Sequence, residues 1–126
     1  MLLWGPVVLV MALIYSASSM SDPGAPPGGL SDKGAHFVAY GALGASLVRA
    51  LAGGRSAAMT PRRVILAAVL ATLYGASDEL HQSFVPERSP DVLDLVADTI
   101  GGLAGAVFLS VAARVLSKWR SLRAAS

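Results

Sequence analysis

No cysteine occurs in the chain, which excludes disulfides, thiolate metal sites and a cysteine nucleophile. Charge is nearly as scarce: Asp, Glu, Lys and Arg make up 14% of residues against 54% hydrophobic ones. That balance, with a mean hydropathy of +0.60, lies outside the range of a soluble domain and marks a membrane protein. Stability must then come from helix packing in lipid. Only two histidines are present, His36 and His81, so little imidazole chemistry is available.

Four apolar stretches follow one another. Leu2 to about Ser19 is interrupted only by Gly5 and Pro6 and approaches the ~20 residues needed to cross the hydrocarbon. It lacks the basic n-region of a signal peptide, so it is read as a retained spanning helix, although Ala17-Ser18-Ser19 offers small residues for cleavage. Ser21 to Gly29, with three prolines and three glycines, is an exposed connection. Ser31 is placed as N-cap of a second helix reaching Leu51, and Gly53-Gly54 ends it. Pro61-Arg62-Arg63 opens a third, and Ser89 and Pro90 are placed as N-cap and first residue of a fourth. Residues 1–126 are thus expected to form one all-α domain, a four-helix transmembrane bundle with helices at about 2–19, 32–51, 63–82 and 91–116.

The charges orient this bundle. Eight of the ten basic residues flank the loop between the second and third helices or follow the fourth, and the positive-inside rule makes that side cytoplasmic. Both termini are then cytoplasmic, and all eight carboxylates, both histidines, Lys33 and Arg88 fall on the opposite, outer side. The expected location is the bacterial cytoplasmic (inner) membrane, as a multi-pass protein.

The stretch from Asp78 to Asp98 holds six of the eight carboxylates, an expensive composition beside a bilayer. Asp91 and Asp94 have a plain explanation, since the first turns of a helix favour negative charge. Asp98 lies two turns from Asp91, and Asp78 and Glu79 sit near a helix C-terminus, where the macrodipole disfavours them. Those three are the strongest functional candidates. Asp32, His36 and Tyr40 recur every fourth residue and share one side of the second helix. His36 and His81 with the acids offer donors that zinc or manganese accepts, but the spacing matches no compact metal motif and no metal is assigned. A helix-end role for His81, and an interfacial role for Tyr40 and Tyr74, compete with chemical ones. Gly41, Gly44, Gly101 and Gly105 mark close helix packing, within one chain or in a homodimer.

Three blocks then resemble a known family. Asp32-Lys33-x2-His36-Phe37-x2-Tyr40, Tyr74-x3-Asp78-Glu79-x-His81-Gln82-x-Phe84-Val85-Pro86-x-Arg88 and Asp94-x3-Asp98-x2-Gly101 are similar to the VanZ-like family of small bacterial membrane proteins. The resemblance implies an association with low-level resistance to the glycopeptide antibiotic teicoplanin. The family often carries Asn where this chain has Asp98, which puts an ionised Asp98 in need of a cation or a proton.

The reading that follows is an envelope membrane protein that binds a lipid-linked or cell-wall-related ligand at the outer leaflet and modulates susceptibility to envelope-active antibiotics. Asp32, Lys33, His36, Tyr40, Gln82, Arg88, Asp94 and Asp98 are its candidate binding residues. Arg88 and Lys33 are the only bases on the acidic side, either to neutralise the acids or to receive an anionic headgroup. The alternative is an intramembrane enzyme acting on a lipid headgroup, with Asp78, Glu79 and His81 as its acid–base group. A proton-coupled carrier is a third class, disfavoured because no internal repeat is found. The partner is a membrane lipid or lipid-linked precursor, not nucleic acid. The residues name no cofactor.

Overall fold

The computed structural model describes residues 2–124. Four α-helices and two short 3-10 turns account for it, with no strand among the described residues. The helices are α1 (Gly5–Ser18), α2 (Asp32–Leu51), α3 (Pro61–Gln82) and α4 (Val92–Ala124).

Local chemistry explains most of the boundaries. The Ser31 side chain accepts a hydrogen bond from the Gly34 amide and caps α2, as the sequence suggested. Thr60 caps α3 by accepting from the Arg63 amide, and Pro61 takes the first helical position, where its missing N–H costs nothing. The fourth helix departs from expectation at both ends. Its cap is Asp91 rather than Ser89: the carboxylate accepts from the Leu93 amide at 2.8 Å, and the Asp91 carbonyl accepts from Asp94 and Leu95. A carboxylate there meets both the free amides and the positive end of the dipole. At the other end α4 continues past Leu116 to Ala124, because no Gly or Pro occurs between residues 117 and 124 and its basic last turn suits the negative end of the dipole.

Helices α3 and α4 are each long and apolar enough to cross a membrane. At 14 residues α1 is about 21 Å long, short of the ~30 Å hydrocarbon. Large apolar side chains point outward: Ile65, Val69 and Leu73 on α3 and Ile100, Leu103, Phe108 and Val111 on α4 are exposed. The buried set includes Asp78, Glu79, Gln82, Asp94 and Asp98. A surface this apolar around an interior this polar is stable in lipid and is an association liability in water. The protein is a membrane protein.

Glycine decides how closely the helices approach. A Cβ on Gly44 would strike the backbone of Gly102, one on Gly105 the backbone of Gly41, and one on Gly101 that of Phe37. The two glycine faces therefore meet within one chain. That seam aligns α2 and α4 in the same direction, so Lys33 lies beside Asp94 and His36 beside Asp98. Similarly, α1 and α3 run together: the Tyr74 hydroxyl donates to the Met11 carbonyl at 2.8 Å, and Ser18 reaches Asp78. At the far end Arg63 and Arg114 donate to the carbonyls of Ala58 and Met59, so the bundle has a basic end opposite its acidic one.

Candidate functional site

The acids at the polar end separate into three groups, each set by the helix that faces it. On α4, Asp98 is fully buried, and its Oδ1 lies 2.9 Å from His36 Nδ1 on α2. Room for this carboxylate comes from α3, where a Cβ on Gly75 would sit 2.7 Å from Asp98 Oδ2. That second oxygen has no hydrogen-bond partner. Glu79 on α3 accepts the Asp91 amide at its Oε2, 2.8 Å away, while its buried Oε1 is also unpartnered. One donor atom each of His36, Glu79 and Asp98 lie within 4.8 Å of one another. Tyr40, one turn beyond His36, stacks parallel to the imidazole with ring centroids 6.3 Å apart, and its buried hydroxyl is unpartnered.

Lys33 serves the second group. Its ammonium donates to Asp91 at 2.7 Å and to Asp94 at 3.0 Å. The Lys33 hydrogen bond, helped by the Leu93 amide, holds the Asp91 carboxyl below its ordinary range. The exposed half of this group contributes little to stability, because solvent screens it. Asp94 is buried, and Lys33 is its ion-pair partner. Asp94 also forms a second cluster of donor atoms with Asp32 and His36.

The third group joins α3 to α1. The Ser18 hydroxyl donates to Asp78 Oδ2 at 2.7 Å, and the Gln82 amide donates to the same oxygen at 3.3 Å and to Ser18. His81 points to a different neighbour, stacking on Tyr15 and lying 3.1 Å from the Ser19 hydroxyl. Asp78, Glu79 and His81 therefore face three different partners. Glu79 lies one residue from Asp78 and two from His81, spacings that point in different directions around the helix axis.

Between these groups lies a cavity of about 200 Å³, lined by Ser18, Asp32, His36, Tyr40, Asp78 and Arg88 and bordered by the Pro23–Pro27 segment. Gly24 turns that segment with a φ of 73°, and its amide donates to the Asp22 carboxylate. Arg88 enters from the α3–α4 connection, immediately after Glu87, whose φ of 65° is unusual for a side-chain-bearing residue. The Arg88 Nε is buried without a hydrogen-bond partner. The ion pairs among the described residues are Lys33–Asp91, Lys33–Asp94 and His36–Asp98, and Arg88 belongs to none.

Sequence reasoning left Arg88 either to neutralise the acids or to receive an anionic headgroup. The structure gives Asp98 to His36, Glu79 to the start of α4 and Asp78 to Ser18, and it leaves Arg88 facing the cavity. The distribution follows from helix rotation and depth, which spacing along one helix does not fix. Two contributors were not among the candidate site residues: Ser18, a small residue at the end of an apolar run, and Gly75, whose missing side chain leaves room for Asp98. The Pro23–Pro27 segment was legible only as an exposed connection.

A family model described as VanZ/LLP1 matches residues 4–113. No curated protein and no solved structure matches the chain.

Proposed function

The chain belongs to the VanZ/LLP1 family, and from that premise we propose that it binds an anionic headgroup in the cavity beside the Pro23–Pro27 segment, altering how the envelope responds to glycopeptide antibiotics. The observation that carries this is Arg88. A guanidinium facing a cavity, with a buried Nε unpartnered and no carboxylate in an ion pair with it, is ready for a planar or tetrahedral oxyanion. About 200 Å³ is below the ~300 Å³ at which pockets for drug-sized ligands begin, so the occupant is a headgroup rather than a whole cell-wall precursor. Ile14, Ala17, Ala35 and Ala39 supply apolar walls on which the start of an acyl or prenyl chain can lie. The polar groups opposite hold the headgroup by hydrogen bonds: Tyr40 as an unpartnered hydroxyl, and His36 as an imidazole.

The same reading places the acidic end outward and gives four membrane crossings with both termini in the cytoplasm of a bacterial inner membrane. Its support is the distribution of charge, with eight basic residues gathered at one end. Cysteine at position 24 should react with an impermeant reagent added outside, and cysteine at position 55 should not. Labelling of position 55 from outside would reverse the orientation.

The binding test uses purified protein in nanodiscs containing phosphatidylglycerol or only phosphatidylcholine, with retained lipid read by native mass spectrometry. Wild type should retain the anionic lipid, Arg88→Ala should lose it, and Arg88→Lys should recover part, because an ammonium makes one contact where the guanidinium makes two. In cells, Arg88→Ala should abolish any effect on teicoplanin susceptibility at unchanged membrane abundance. Equal retention by wild type and Arg88→Ala would remove the basis for this site.

A further inference from the structure

We propose that His36, Glu79 and Asp98 form a binding site for one divalent transition-metal ion, zinc or manganese, at the junction of α2, α3 and α4. Each residue comes from a different helix, yet one donor atom of each lies within 4.8 Å of the other two, close enough for small side-chain rotations to bring all three onto a single ion. The second, independent observation is that this convergence is unfinished. Asp98 is fully buried and Glu79 is 8% exposed, and each keeps one carboxylate oxygen, Oδ2 and Oε1, with no hydrogen-bond partner. An orphaned buried carboxylate oxygen costs more than an absent one, so two at one junction call for a ligand.

Charge points the same way. Two buried carboxylates face one imidazole, and even a protonated His36 leaves them a negative charge in excess. The nearby cations are not available to correct it: Lys33 is bound to Asp91 and Asp94, and Arg88 is in no ion pair with either acid. A dication with neutral His36 balances Glu79 and Asp98. The donor set of one imidazole and two carboxylates selects zinc or manganese over magnesium and calcium, which prefer oxygen alone. The neighbouring group of Asp32, His36 and Asp94 competes for His36, but Asp94 there is already neutralised by Lys33 and Asp32 is exposed. Gly75 belongs to the design, since any larger residue would push Asp98 Oδ2 out of place.

The experiment takes full-length protein in detergent, stripped with chelator and freed of any purification tag. It is dialysed separately against zinc, manganese and magnesium, and bound metal is counted by mass spectrometry, with affinity from competition against a chromophoric chelator. Wild type should hold one zinc or manganese per chain and no magnesium. Asp98→Asn and Glu79→Gln should each weaken zinc binding by roughly 100-fold, at or above the loss typical of outer-shell changes. Asp32→Asn, His81→Gln and Arg88→Ala should leave it unchanged, the last separating this site from the anion site, whose failure would show only in lipid retention. Because the chain has two histidines, imidazole NMR of His81→Gln reports His36 alone, and zinc should shift it even if a carboxylate variant does not fold. Absence of stoichiometric metal in wild type, a His36 signal indifferent to zinc, or binding lost in Asp32→Asn but kept in Asp98→Asn would overturn the assignment.

Discussion

The seam between α2 and α4 and the polar chamber above it share these two helices, the chamber adding residues of α1, α3 and the α3–α4 connection, and they are finished to different degrees. Along the seam nothing is left over. Gly41, Gly44, Gly101, Gly102 and Gly105 bring backbone against backbone, and none of them carries a side chain that could be misplaced. In the chamber the accounts do not close: Tyr40 Oη, Glu79 Oε1, Arg88 Nε and Asp98 Oδ2 are the buried side-chain atoms without a partner among the described residues, and all four belong to that end. A fold selected for stability alone would replace such groups with apolar ones, as buried ion pairs often can be without loss. The seam teaches where this protein holds its shape, and the chamber where it has kept chemistry open.

Substitutions sharpen that contrast, and the largest effect belongs to the seam. Gly105→Leu must force α4 away from the Gly41 backbone and should cost more than the usual 1–3 kcal/mol of overpacking. Expected is loss of monodisperse protein on size-exclusion chromatography, whereas Val107→Ala on the exposed face should purify like wild type. Equal yields would mean that the helices are not held by that contact.

The chamber should behave in the opposite way. Asp98→Asn removes a buried charge while keeping shape and one hydrogen-bonding oxygen for His36. Thermal unfolding in detergent should move little or upward, while the effect on teicoplanin susceptibility disappears. A collapse in stability with function retained in the surviving protein would make Asp98 a structural residue and erase the distinction.

A smaller effect is expected from the exposed pair at the chamber's rim. Lys33→Met breaks both ion pairs, but half of the contact is with exposed Asp91, where water and salt already screen the attraction. The melting temperature should fall slightly, and the difference from wild type should shrink further at high salt. A large, salt-insensitive loss would show that buried Asp94 dominates and that this group belongs with Asp98.

Smallest is the turn that delivers Arg88. Glu87 holds a left-handed conformation at a φ of 65°, which costs a side-chain-bearing residue about 1–2 kcal/mol. Glu87→Gly removes that strain but adds about 0.5–1 kcal/mol of unfolded-chain entropy, so a gain of a few tenths to about 1 kcal/mol is expected by thermal unfolding. A destabilised variant would indicate that the Glu87 side chain makes up for its own strain.

Much of this was legible along the chain. Composition alone separates a membrane protein from a soluble one, because 54% hydrophobic residues against 14% charged cannot be arranged with polar groups outward. Ser31 and Pro61 mark the starts of α2 and α3 because capping is a matter of a few adjacent residues. Asp98 stands out because it lies beyond the reach of its helix's first-turn dipole. Segregation of basic and acidic residues follows from counting. Pairing does not. The bonds that define the chamber, Ser18 to Asp78, Lys33 to Asp94 and His36 to Asp98, join residues 60 to 62 apart. Periodicity puts a side chain on a face of its own helix, but its depth and rotation against the next helix depend on how closely the backbones approach. Glycines on α2 and α4 fix that approach, and only when they meet does His36 fall beside Asp98 and Lys33 beside Asp94, with Arg88 in none of the ion pairs.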